Sequence, residues 1–272
     1  MKYCTMLALS MLSILIANAQ FCTTREGVVH QSRVSRIDTS SLAGIGDDLG
    51  LWATGKHIRV GFFNGTPAQQ ERLLAIAREW EQYANISFVT SPVENAHVRV
   101  LLANSRANYT FVGKDILKVM QGQPNMQIDL SLFEGGPQRL TMVVLHQFGH
   151  VLGMTHEHDA PEGGIQWDHK AVIKAFGRLG WQKGDVEANI FDLYTHRMAN
   201  GFFYDALSIM HWAVPGRFTK NGYSFEWNGT LSAGDKAWAA SQYPFSKPHA
   251  NLNPPVFTTG AAAGIGNFAP KK

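Results

Sequence analysis

The chain has 272 residues, 45% of them hydrophobic and 17% charged, with a formal net charge of +3. That length supports one sizeable core in one or two domains, and the composition excludes a disordered chain. So small a positive balance predicts neither a nucleic-acid partner nor an anionic membrane partner.

Lys2, an apolar run from Met6 to Ala17 and the small-residue site Ala17-Asn18-Ala19 read as a secretory signal peptide over residues 1–19. A membrane anchor needs about 20 apolar residues, so this run predicts a secreted, extracellular chain instead. Its removal takes away Lys2 and Cys4, leaving Cys22 alone as a reactive, intermolecular or passive thiol and leaving no internal disulfide. Residues 20–50 have no sustained period and read as a short pro-segment or a loose N-terminal arm. Ordered structure is expected from Leu51, in one domain over residues 51–245.

His57 to Phe63 alternates like a strand. Thr66, Pro67 and Gln69 open a helix with a capping box, and Leu73, Ala77, Trp80 and Ala84 give it one apolar face. Ile86 to Thr90 and His97 to Leu102 read as strands, with His97 as a structural histidine. Tyr109 to Gly113 and Met126 to Leu132 read as further extended pieces. Gly135-Gly136-Pro137 then opens a helix over Pro137 to Leu152, which is apolar enough to cross the interior.

That helix carries His146 and His150, four residues apart and so one turn apart on the same face. Two imidazoles so placed can share a metal ion, and Zn²⁺ suits a nitrogen-rich site without redox chemistry. Gly153 can end the helix in a left-handed conformation and bring His156 round as a third ligand. Three protein ligands leave a fourth position open, the layout of a catalytic zinc site. The spacing of His146 and His150 alone is common by chance and would better suit two core imidazoles; Gly153, His156, Glu157 and the Met-containing turn together point to zinc.

The pattern H-x-x-x-H-x-x-G-x-x-H, followed by Ser208-Ile209-Met210-His211, resembles the metzincin peptidases. Glu157 after the third His resembles the astacin branch. The run His156-Glu157-His158-Asp159-Ala160-Pro161 is similar to the astacin-like secreted peptidases of microbes, and the likeness spans about Leu51 to Pro244. The resemblance implies an α+β fold: a twisted sheet and long helices above a cleft, and an irregular lower subdomain below. It implies one Zn²⁺ per chain on His146, His150 and His156, with Gly153 and Glu157 structural and Met210 as an apolar floor. It implies a peptide or protein partner in the cleft of a monomer. A strand just before the zinc helix would form the sheet edge on which substrate pairs. Met126 to Leu132 is the candidate, an ordinary paired strand being the alternative. Short helices are expected near Asp168 to Phe176 and Asp185 to Ile190, a closing helix over Gly234 to Tyr243, and a flexible tail over residues 246–272.

Two positions depart from the family. Gln147 stands where the family has its general-base Glu, and Trp212 stands where astacins carry a Tyr that contacts zinc or the developing oxyanion. An amide keeps the shape of Glu but accepts no proton, and general acid–base steps contribute about 10²- to 10⁴-fold in rate. Glu157, His158 and Asp159 are the candidate replacement bases. Two functions follow: a zinc-binding homologue that acts by binding peptides or proteins, its hydrolysis lost or much reduced, or an active endopeptidase with an altered general base. Glycosylation sequons begin at Asn64, Asn85, Asn108 and Asn228.

Overall fold

The computed structural model describes residues 22–24, 50–105, 108–159, 163–178, 180–191 and 204–246. The signal peptide, most of the arm over residues 20–50, Ala160-Pro161 and all but the first residue of the tail lie outside the described residues. Among the described residues six strands form one mixed sheet: β1 (Cys22–Thr24), β2 (His57–Phe62), β3 (Ser87–Thr90), β4 (Val98–Ala103), β5 (Asn108–Thr110) and β6 (Met126–Asp129). Their order is β1-β5-β6-β4-β2-β3, all neighbours parallel except β5 and β6. β4 is central, and Val98, Arg99, Val100 and Leu102 are all buried, as befits a strand with parallel neighbours on both sides.

Of the two expectations for Met126 to Leu132, this order overturns the sheet edge and supports the ordinary paired strand, which ends at Asp129 where a 3-10 turn over Leu130–Phe133 begins. β6 precedes the zinc helix but is paired on both sides, by β4 and by β5. The next strand outward is β5, and β1 lies along its outer side with Thr23 opposite Tyr109. The extended piece expected over Tyr109 to Gly113 begins at Asn108 and ends at Thr110, and a 3-10 turn takes over at Gly113.

Helix α1 (Pro67–Ala77) starts as its capping box requires: Gln69 N–H donates to Thr66 Oγ1, and Thr66 N–H donates to Gln69 Oε1. It tightens to a 3-10 turn over Arg78–Gln82, which still points Trp80 inward, and Trp80 Nε1 donates to Leu145 O at 3.0 Å. That bond fastens α1 to helix α2 (Pro137–Leu152), whose buried residues run without a break from Val143 to Leu152. Past Gly153 come helix α3 (His169–Gly177), the single turn α4 (Lys183–Val186) and the closing helix α5 (Ala233–Gln242). Trp52 Nε1 donates to Val151 O at 2.7 Å and Tyr243 Oη donates to Leu152 O, so both ends of the domain brace the end of α2.

The apolar interior is in two parts. The larger holds the sheet, α1, α2 and α5 and reaches Ile209 and Met210, while the smaller joins Trp167, Val172, Phe176, Val186, Ile190, Trp212, Val214 and Phe218. The chain passes from one to the other at His211, between Met210 and Trp212. Together these parts make the α+β, metzincin-like domain. No helix among the described residues is long and apolar enough to cross a membrane.

Candidate metal centre

His146 and His150 project from one face of α2, and the backbone then reverses at Gly153, where φ is +109°. Only glycine adopts that conformation at little cost, and a Cβ there would also collide with Leu51. The reversal has two consequences. It places Met154 O 2.8 Å from His150 Nδ1, and it returns His156 to the other two rings. His150 Nε2 lies 3.1 Å from both His146 Nε2 and His156 Nε2. Nitrogens bound tetrahedrally to zinc at 2.0–2.1 Å are about 3.3 Å apart, so this donor set fits one zinc ion.

The backs of the rings are also fixed. His146 Nδ1 donates to Ile209 O at 2.8 Å and His150 Nδ1 to Met154 O; a carbonyl only accepts, so each Nδ1 carries the proton and each Nε2 presents its lone pair. His156 Nδ1 faces the Asp159 carboxylate at 3.7 Å. Burial lowers the pKa of all three: His146 to about 4, and His150 and His156 well below the usual histidine value, with neighbouring imidazoles adding to the effect on the last two. Neutral imidazoles are the form that binds metal.

Met210 is fully buried and packs against Gly149, between the two helix ligands, where a Cβ would overlap its Sδ. Gly149→Ala is therefore expected to cost about 1–3 kcal/mol of stability by overpacking, read from denaturant unfolding. Glu157 N–H donates to Met210 O at 3.1 Å, and its carboxylate accepts from Asp205 N–H at 2.6 Å, so Glu157 braces the turn.

Gln147 is fully buried on α2, beside the first ligand. Of the replacement candidates, Glu157 is engaged as above. Asp159 lies on the Nδ1 side of His156, and His158 Nε2 is 3.1 Å from Asp159 Oδ1. Because His156 Nε2 points to the ligand cluster, its Nδ1 points away from it. Asp159 thus stands behind the ligand.

Trp212 is 3% exposed and belongs to the smaller apolar core, its ring 4.7 Å from that of His158 and tilted by 32°. It touches the ligand set edge-on, 5.1 Å from His156 between ring centres. Sequence reading missed Trp227, whose ring meets His146 at 6.3 Å, and the pair Tyr204–His211. His211 Nδ1 donates to Trp212 O at 2.7 Å, so its Nε2 accepts from Tyr204 Oη at 2.8 Å. Burial lowers the His211 pKa and raises that of Tyr204, Glu157 adding to the latter, which keeps both groups neutral.

Of the four sequon asparagines, Asn64 is exposed and Asn85 and Asn228 are half-buried. Asn108 is buried, 1% exposed, in β5. The amides of Asn64, Asn85 and Asn228 donate to Leu102 O, Pro244 O and the carbonyls of Ala206 and Ser208.

Residues 48–233 match the model of the peptidase family Astacin. Among solved structures, one described as the structure of myroilysin is 32% identical with a TM-score of 0.69, covering 73% of this chain and 97% of that one. A crystal structure of myroilysin is 29% identical with a TM-score of 0.63, covering 85% and 93%. High choriolytic enzyme 1, a hatching enzyme zinc-protease from the medaka fish Oryzias latipes, is 15% identical with a TM-score of 0.46, covering 69% and 90%. Comparison with curated proteins returned no match.

Proposed function

The chain belongs to the astacin family of zinc metallopeptidases, and we propose that it is a secreted member that holds peptide or protein chains and cleaves them weakly or not at all. The observation that carries this reading is Gln147, buried beside a complete set of three histidine ligands. Zinc on those ligands would supply Lewis-acid polarisation and make a nucleophile of water. What this chain's residues contribute is position without proton transfer. The Gln147 amide can orient a polar group by hydrogen bonding, yet it cannot take a proton and hand it to a leaving amine. Glu157 is engaged with Asp205, and Asp159 lies behind His156. The Trp212 indole is packed in the smaller core and offers no phenol.

The N-terminal arm fits the same reading as a pro-segment. Cys22–Thr24 takes the outer side of β5, the sheet edge that a bound peptide would otherwise extend. Replacing Thr23 and Thr24 together by Pro removes the N–H groups that such a strand needs. With an arm that occupies the edge nine-tenths of the time, the doubly substituted chain should bind a labelled peptide about tenfold more tightly than the unsubstituted one. Fluorescence polarisation measures both. Equal affinities would remove the arm from the cleft, and binding by neither chain would sink the peptide-holding reading itself.

A further inference from the structure

Asp235 is 1% exposed, in the first turn of α5, and neither the ligand motif nor the general-base question involves it. Its Oδ2 accepts from Ile209 N–H at 2.8 Å and from Ser232 N–H at 2.8 Å, and its Oδ1 accepts from Ser208 Oγ–H at 2.6 Å. Ser208 Oγ in turn accepts from Met210 N–H at 3.0 Å. One carboxylate thereby holds three consecutive residues of the turn beneath the metal centre. The middle residue of the three supplies the carbonyl that receives His146 Nδ1.

A helix cap alone does not require this. The capping box of α5 is complete with Ser232 N–H to Asp235 Oδ2 and Asp235 N–H to Ser232 Oγ. The bonds to Ser208 and Ile209 are additional, and they place an anionic acceptor in a site where burial opposes the charge. The network also runs outward: Ser232 Oγ donates to Asp205 Oδ2 at 2.7 Å, and Asp205 N–H donates to Glu157, the neighbour of the third ligand. The first and third ligands are thus joined through α5.

We propose that Asp235 is a positioning residue for the metal centre: it fixes the Ser208–Met210 turn and, through Ile209 O, the orientation and tautomer of His146. The assignment rests on the zinc reading of the three histidines. Asp235→Asn is the informative change. Its amide oxygen can keep the Oδ2 role as helix cap and acceptor from Ile209, while its amide N–H₂ meets Ser208 Oγ, which must then reverse its bond.

The test measures zinc affinity of the full chain by chelator competition, the visible absorption of the Co²⁺-substituted protein, and unfolding of the metal-free protein. Asp235→Asn is expected to weaken zinc binding by about 10- to 100-fold, the usual effect of losing a group that orients a ligand, and to change the Co²⁺ spectrum. Wild-type zinc affinity and an unchanged spectrum, with only the unfolding midpoint lowered, would make Asp235 a helix cap and overturn the assignment. Should Asp235→Asn not fold, Ser208→Ala decides. That variant leaves the cap intact and removes only the hydroxyl between Asp235 and Met210 N–H, so weaker zinc binding supports the assignment and unchanged binding refutes it. A folded wild-type chain that takes up no zinc would remove the metal reading, whereas tight wild-type binding matched by the variants overturns the role of Asp235 alone.

Discussion

Gln147→Glu is expected to raise peptidase kcat by about two to four orders of magnitude, the contribution of one well-placed general base. This corresponds to about 3–5 kcal/mol of barrier. The change is nearly isosteric, and Gln147 is fully buried on a helix whose neighbours on both sides are packed, so Glu would enter a position already held in place. Burial raises a carboxyl pKa, which moves a new Glu toward the range in which a base both accepts and returns a proton near neutral pH. Trp212→Tyr is the second change that family comparison suggests. Because Trp212 packs on His158 within the smaller core, a Tyr there replaces packing first, and the double variant should stay close to Gln147→Glu alone. A large further gain in the double variant would mean that position 212 reaches the reacting groups, and the two changes would then be non-additive.

His150→Ala should abolish zinc binding. Its Nε2 is 3.1 Å from each of the other two ligand atoms, so it is the member through which the set converges. Metal analysis should fall from about one zinc per chain to none. The accompanying stability effect is as large: with free zinc a thousandfold above Kd, binding to the native state contributes about 4 kcal/mol. Adding zinc should therefore raise the unfolding midpoint of the wild type and leave that of His150→Ala unmoved. Retention of zinc by this variant would place the metal elsewhere.

Local patterns carried the parts of this fold that depend on neighbours in sequence. The capping box at Thr66 marks the start of α1, and the long apolar run marks α2. Pairing partners are a different matter. Met126 to Leu132 reads as an extended piece, but nothing in those residues says that the strand stops at Asp129 or that β5 and β4 flank it, because sheet order is set by contacts distant in the chain. Asn108 illustrates the same limit, since a sequon is a motif of three residues and its burial in β5 is a property of the whole sheet. At Trp212 the residue type marks a departure from the family, whereas its place in a second apolar core appears only once α3 and Trp167 are packed beside it. Asp235 is half legible. Ser232 to Asp235 has the form of a capping box, yet the bonds to Ser208 and Ile209 join residues 27 and 26 positions apart.

On the proposed function, the zinc-loaded chain should bind peptide without consuming it. Zinc-loaded wild-type chain mixed with an equimolar labelled peptide, both followed by mass spectrometry beside Gln147→Glu treated identically, separates the two behaviours. The peptide is expected to co-purify with the wild type and to be recovered intact over a period in which the Gln147→Glu chain consumes it. Cleavage by the wild type at the same rate as Gln147→Glu, with Gln147 confirmed in the intact mass, would show that the site has a working base and that the peptide-holding reading is wrong.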